Sequence, residues 1–313
     1  MRLRHLGYAC LNRTLDTKSR TVRLANLRTE AVIPVIVQNL DDVLAALRWN
    51  VAHGIRFFRI SSDLIPFGPL DAFPFDWAEA FDWKFRELRR LVKAEGLRVT
   101  SHPGQYTVLN SPRPEVVDAS VEELDFQAEV LRRIDPKGTL TLHVGGAYGD
   151  KAAAMDRFAQ NLDRLGDAAR ERLIVENDDT TFTLEEVVGL AERTGLRVVV
   201  DLFHHKLNPG EGRTWDQDLV PLLQRAVDTW GKQTPKLHLS SHRAGTRTGH
   251  ADTVTAADLD ALLAVMEAVG PPEAPYDVML EAKSKEHAVL DVRRYLETGE
   301  PPAVELEPTE AAG

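Results

Sequence analysis

Residue types that bind metal ions recur at matched places along this chain. His102 follows VTS, His143 follows TLTL, Glu176 follows LIV, Asp201 follows RVVV, His238 follows PKL and Glu281 follows DVML. His204 stands three residues beyond Asp201, and His250 lies further on after the His238 run. Imidazoles mixed with carboxylates suit zinc, manganese or iron better than the oxygen-seeking magnesium and calcium. For any one of these histidines a hydrogen-bonded structural role explains the position as well. The series shifts the balance, because carboxylates at buried strand ends are costly unless paired or bound to a cation. Several ions held together can activate water and clamp the attacking and leaving oxygens of a phosphoryl transfer. They can equally hold the hydroxyls of a sugar for isomerisation, and the ligands alone leave both open.

The elements that must position these residues follow from periodicity. Short, mostly apolar runs predict strands at Leu3–Gly7, Arg56–Ile60, Leu97–Ser101, Leu140–His143, Leu173–Glu176, Arg197–Asp201, Lys236–Leu239 and Asp277–Leu280. Amphipathic stretches between them predict helices over Leu40–His53, Phe81–Glu95, Val117–Arg132, Met155–Arg170, Leu184–Thr194, Leu219–Trp230, Ala256–Val269 and His287–Glu297. Thr183 and Thr255, each with an acidic residue three positions on, read as helix starts. Gly96, Gly195 and Gly270 read as stops. Eight strand–helix pairs close an α/β fold of the (β/α)8 TIM-barrel type, expected as a single domain over residues 1–300. A doubly wound open sheet is the alternative, with no G-x-G-x-x-G motif to support it. In a barrel the six strand-end ligands meet at the C-terminal face, where active sites are built. The long loops at residues 61–77 and 208–216 suggest function. The acidic, Pro-rich tail at residues 301–313 is expected to be disordered.

Composition narrows the class. At 43% hydrophobic and 27% charged residues the chain reads as globular. A single cysteine, Cys10, excludes an intrachain disulfide and points to a reducing compartment. The polar N-terminal segment does not read as a signal peptide, and no run of about 18 apolar residues reaches across a membrane. A cytoplasmic protein without a membrane partner is expected. The net charge of −10 argues, taken alone, against a nucleic-acid partner. Bound divalent ions would offset part of it.

One loop bears on the choice left open by the ligands. His102-Pro-Gly-Gln-Tyr106 sets an amide, Gln105, beside an aromatic, Tyr106, just past a ligand candidate. An aromatic next to an amide can replace stacking and base hydrogen bonds where a side chain enters a duplex. The residues alone favour the plainer reading, a Pro-Gly turn carrying a surface tyrosine.

The motifs decide otherwise. LGYACLN, FRISSDLIPF, SHPGQYTVLNSP, LTLHVGGAYGDK, LIVENDD, VVVDLFHH, KLHLSSH and LEAKSKE follow one another at successive strands. Over roughly residues 1–298 this series resembles the ultraviolet DNA damage endonucleases, which are themselves similar to endonuclease IV. The resemblance implies a (β/α)8 barrel and metal-activated cutting of the DNA backbone immediately 5′ of cyclobutane pyrimidine dimers and (6-4) photoproducts. It implies up to three divalent ions, manganese foremost, with zinc, cobalt or magnesium as alternatives. Glu176 would bridge two ions, His102 and His143 would share one with it, and Asp201, His238 and Glu281 would complete the second. His204 and His250 would hold the third. Lys236 would be carboxylated on its amine and, with Glu176 and Glu281, belong to the catalytic set. Gln105 and Tyr106 would probe the duplex, while Tyr8 and Asn12 would lie near the extruded lesion. The partner would be double-stranded DNA carrying ultraviolet lesions, bound by a monomer with no obligate protein partner. Leu70 departs from the family pattern, which has a histidine there, and leucine cannot coordinate a metal. A sugar isomerase or epimerase on a similar barrel, or a damage-binding protein that does not cut, are the competing readings.

Overall fold

Eight parallel strands close on themselves in chain order in the computed structural model, which describes residues 1–301. They are β1 (Arg2–Ala9), β2 (Phe57–Arg59), β3 (Arg98–Ser101), β4 (Thr139–His143), β5 (Leu173–Glu176), β6 (Arg197–Asp201), β7 (Lys236–Leu239) and β8 (Pro275–Leu280). The α/β barrel expected from the periodicity is the fold observed. The tail expected from Pro301 lies, beyond that residue, outside the described residues.

The helices are α1 (Thr29–Ala52), α2 (Trp77–Ala80), α3 (Asp82–Glu95), α4 (Pro114–Ile134), α5 (Lys151–Asn161), α6 (Asp167–Arg172), α7 (Leu184–Thr194), α8 (Leu202–Leu207), α9 (Leu219–Asp228), α10 (Ala256–Glu267) and α11 (Glu286–Thr298). Their apolar faces cover the outside of the barrel; on α1 the stripe Val32, Ile36, Leu40, Val43 and Leu47 is buried. The capping signals act as their chemistry requires. Thr183 and Glu186 form a reciprocal capping box at the start of α7, and Gly195 ends that helix in a left-handed conformation, φ +75°. Thr255 accepts a hydrogen bond from the Asp258 backbone at the start of α10.

Three differences from the periodicity have physical causes. Helix α1 begins eleven residues before the expected Leu40 and runs through Pro34, which the apolar stripe overrides. The expected helix Met155–Arg170 is broken by a 3-10 turn at Leu162–Arg164 and restarts as α6. The short α8 is too brief to leave a periodic signal, and Asp201 caps it by accepting from the His204 backbone at 2.8 Å.

Register places the ligand candidates side by side. His143 is the partner of Glu176 across β4–β5, and Asp201 is the partner of His238 across β6–β7. Alternation along a strand has period two, so the residue two before each strand-end ligand shares its inward face. Thr100 lies beneath His102, Thr141 beneath His143, Lys236 beneath His238 and Met279 beneath Glu281. The lysine amine confirms the stacking by donating across the barrel to Thr100 Oγ1 at 3.0 Å and Thr141 Oγ1 at 2.7 Å. Phe57, Ala9 and Met279 pack together in the same interior, as do Ile174 and Val199. The barrel is thus filled in layers, and the uppermost layer is polar.

Candidate metal centre

Glu176 is the hub of the upper layer. It ends β5, is 1% exposed, and has four imidazoles within reach of its two oxygens. His238 Nδ1 stands 2.7 Å from Oε1, and His204 Nδ1 stands 3.8 Å from the same atom. On the other side, His102 Nε2 is 3.3 Å and His143 Nε2 is 3.8 Å from Oε2. Glu281 lies 3.2 Å from His238 Nδ1, and Asp201 Oδ2 lies 3.8 Å from His204 Nδ1.

Among the described residues three groups are compact enough to hold an ion, and Glu176 belongs to all of them. They are His102–His143–Glu176, Glu176–Asp201–His204 and Glu176–His238–Glu281. The first matches the set expected from the sequence. The other two differ: Asp201 falls with His204 rather than with His238 and Glu281. The reason is α8, whose first turn lifts His204 over the Asp201 cap. His250, expected to share an ion with His204, belongs to none of the three groups. Its Nδ1 is 3.0 Å from the Glu281 carbonyl and 3.7 Å from Glu281 Oε2, which places it at the edge of the cluster.

Orphaned polar atoms test whether this donor set fits metal ions. Glu176 Oε2, Asp201 Oδ2, His238 Nε2 and His143 Nδ1 are buried without a hydrogen-bond partner. Buried polar atoms are normally paired, and two carboxylate oxygens among imidazoles are what divalent cations would satisfy. Electrostatics agree. Burial opposes ionisation of Glu176, yet His238 and His143 outweigh it and hold the carboxyl well below its usual range. Burial likewise opposes ionisation of Glu281, and Arg59 and His238 reverse it. Burial pushes His143 down, toward the neutral form that ligates metal. His204, although buried, is raised to about 9 by Asp201, Glu176 and Glu281. Glu176 and Glu281 are thus both favoured in the anionic form that a cation would pair with.

The remaining sequence-derived residues divide. Lys236 is buried one layer below the cluster. Burial, then the positive field of Arg98, pushes its amine well below the usual range. Tyr106 is 85% exposed and Gln105 is also exposed, so their loop stands free of the barrel mouth. Tyr8 and Asn12, expected near the extruded lesion, are both fully buried. The Tyr8 hydroxyl donates to Asn50 at 2.7 Å and accepts from Asn12 at 2.8 Å, so the pair braces the first loop from behind. Leu70 is exposed, in a turn closed by Phe73 N to Leu70 O at 2.8 Å, and joins no metal-compatible group.

Two neighbours of the cluster carried no singular signal in the sequence. Arg59, at the end of β2, ion-pairs with Glu281 through a short contact with Oε1. Asn177 exchanges two hydrogen bonds with the Asp201 backbone, at 2.9 and 3.0 Å, and fixes that strand end. Both lie inside motif strings, FRISSD and LIVENDD. The strand-end position itself was the available clue to Arg59.

The fold and the cluster define a (β/α)8 barrel whose C-terminal face carries a buried His/carboxylate centre able to hold metal ions. The chain belongs to the UV-endonuclease UvdE family, whose sequence model matches residues 4–302. A UV-damage endonuclease of Schizosaccharomyces pombe is 33% identical over 95% of this chain, which spans 51% of that longer relative. A UV DNA damage endonuclease of Bacillus velezensis is 35% identical over 84% of this chain and 82% of its own length. The solved structure of SacUVDE superimposes with a TM-score of 0.85 at 32% identity, covering 94% of this chain and 99% of that one. Endonuclease IV of Thermus thermophilus, at 18% identity and a TM-score of 0.57, and D-psicose 3-epimerase of Clostridium cellulolyticum, at 13% and 0.55, share the fold.

Proposed function

We propose that the chain is a metal-dependent DNA repair endonuclease that cuts the backbone immediately 5′ of ultraviolet photoproducts. The observation that carries this reading is a buried Glu176 shared by three metal-compatible groups, in a chain of this family. His102 and His143 would hold one ion with Glu176, Asp201 and His204 a second, and His238 and Glu281 a third, with His250 at the rim. Bound divalent ions, manganese first among them, would polarise the scissile phosphate and lower the pKa of water. The protein's own part is positioning. Arg59 fixes Glu281, Asn177 fixes Asp201, and the barrel wall excludes water from the carboxylates that face the phosphate. Lys236 is held close to neutral, the form that could accept carboxylation and so add an anionic oxygen beneath the cluster. Gln105 and Tyr106, exposed on the loop after β3, would contact the duplex. A photodimer stacks and pairs poorly, so extruding it costs less than extruding normal bases, and selectivity would follow from that difference.

The test is to incubate the metal-loaded chain with a duplex carrying one defined photodimer and map the products. A single nick directly 5′ of the lesion with a 3′-hydroxyl is the expected result. Binding without a nick would make the chain a damage sensor. Turnover of a ketose without DNA cleavage would make it an epimerase.

A further inference from the structure

The opposite end of the barrel holds a feature that the reaction at the strand C-termini does not use. A cavity of about 1200 Å³ opens among the strand starts and the loops that lead into β3, β4, β5 and β7. Eight lysines and arginines line it against two carboxylates, Asp135 and Glu171. This concentration occurs in a chain whose net charge is −10.

Internal neutralisation accounts for only part of it. Arg4 and Arg98 share one buried carboxylate, Asp277, with contacts of 2.6 and 2.7 Å. Arg172 pairs with Glu171 at 3.3 Å and otherwise donates to backbone carbonyls of Ala168 and Pro136. Arg197 donates to the Glu171 carbonyl at 2.6 Å. Helices α3, α4 and α6 end at this mouth, and each helix C-terminus offers roughly half a negative charge. After these ends and the three carboxylates, an excess of roughly three positive charges remains. Two observations show that it is uncompensated. The Nε of Arg172 is buried with no partner. The guanidinium of Arg197 is pushed down by burial and by its neighbours Arg98 and Arg172, like charges held together. Lys137 and Lys232 at the rim are exposed and make no ion pair among the described residues.

We propose that this cavity is a binding site for a compact oligophosphate anion, of the charge and size of a triphosphate. Arginine forks and rim lysines match phosphate oxygens as charge-assisted donors. The cavity is concave and basic and faces away from the metal-compatible cluster, so its occupant is separate from any duplex at the other face. An anion seated here would relieve the repulsion among Arg98, Arg172 and Arg197 and stabilise the lower barrel layer.

Calorimetric titration of the full chain at low ionic strength tests this, with sodium triphosphate in one arm and ATP in the other. Salt-sensitive binding is expected in both. Equal affinities identify an inorganic oligophosphate site, and tighter ATP binding identifies a nucleotide. The rim variant Lys137→Glu/Lys232→Glu should weaken binding by about tenfold or more. The milder Lys137→Gln/Lys232→Gln should weaken it by a smaller factor, and serves if the reversal disturbs folding. Glu176→Gln, at the far end, should leave binding unchanged. No binding in either arm would overturn the proposal, as would affinity unmoved by the rim variants or lost in Glu176→Gln.

Discussion

A carboxylate with almost no solvent contact, ringed by imidazoles, is the residue on which everything else turns. Against the effect of burial, His238, His143 and His102 hold the Glu176 carboxyl below its usual range, and the oxygen that lacks a partner faces the pair His102 and His143. The family resemblance implies a further imidazole beside that pair, at the position of Leu70, where leucine cannot coordinate. Two histidines and a shared carboxylate leave open positions that water can fill only weakly. The ion of the His102–His143–Glu176 group should therefore be lost first in a chelator titration, and Leu70→His should raise its occupancy. Anomalous scattering from one crystal measures each site separately. Full occupancy there alongside depletion at the other two groups would show that Leu70 does not set the order. At this scale the sequence was readable where a residue type and a strand end coincide. It was silent where burial decides. Tyr8 and Asn12 are expected near the lesion by resemblance alone, and only the packed hydrogen bonds from Asn12 to Tyr8 and from Tyr8 to Asn50 reveal a brace.

Elements convert those residues into a site. Strands of four to six residues, β3 to β8, deliver one inward ligand each, and the period of two sets a second layer beneath it. The strand series was legible because eight apolar runs recur and six of them end in a ligand type. Helix α8 was not, since six residues leave no amphipathic period, and its turn is what regroups His204 with Asp201. The loop after β3 holds the other element-scale claim. Its Gln105 and Tyr106 are exposed and belong to none of the metal-compatible groups. Replacing both with alanine should weaken discrimination between damaged and intact duplex by roughly tenfold, given about 1–3 kcal/mol for base–aromatic stacking. Metal content should stay at the wild-type value. Competition binding with the two duplexes measures this, and unchanged discrimination by the folded variant would remove the loop from recognition.

Across the whole molecule the barrel carries a charged cluster at each end. The upper end gathers carboxylates and imidazoles, and the lower end gathers arginines around Asp277. The upper pattern could be read from the chain because its members share one chemistry. The lower one could not, since Arg4, Arg98 and Arg197 lie far apart in sequence and each alone reads as ordinary surface charge. Asp277 ties β1, β3 and β8 together through Arg4 and Arg98. Asp277→Ala would leave the mostly buried Arg98 without its counter-charge, at a cost of about 3–5 kcal/mol. Thermal unfolding should fall by roughly 10 °C. A midpoint within about 1 °C of wild type would show that the pairing does not hold the barrel closed.

The central claim is that metal-dependent incision at photoproducts runs through Glu176. The direct measurement is incision of a single-photodimer duplex by chelator-stripped chain, before and after manganese is restored, with Glu176→Gln treated in parallel. The amide preserves shape but removes the charge that all three metal-compatible groups share. Wild-type chain should be inactive when stripped and should nick 5′ of the dimer once manganese returns. The variant, folded by circular dichroism, should stay inactive throughout. Near-wild-type nicking by Glu176→Gln, or full activity of the stripped wild-type chain, would contradict the account.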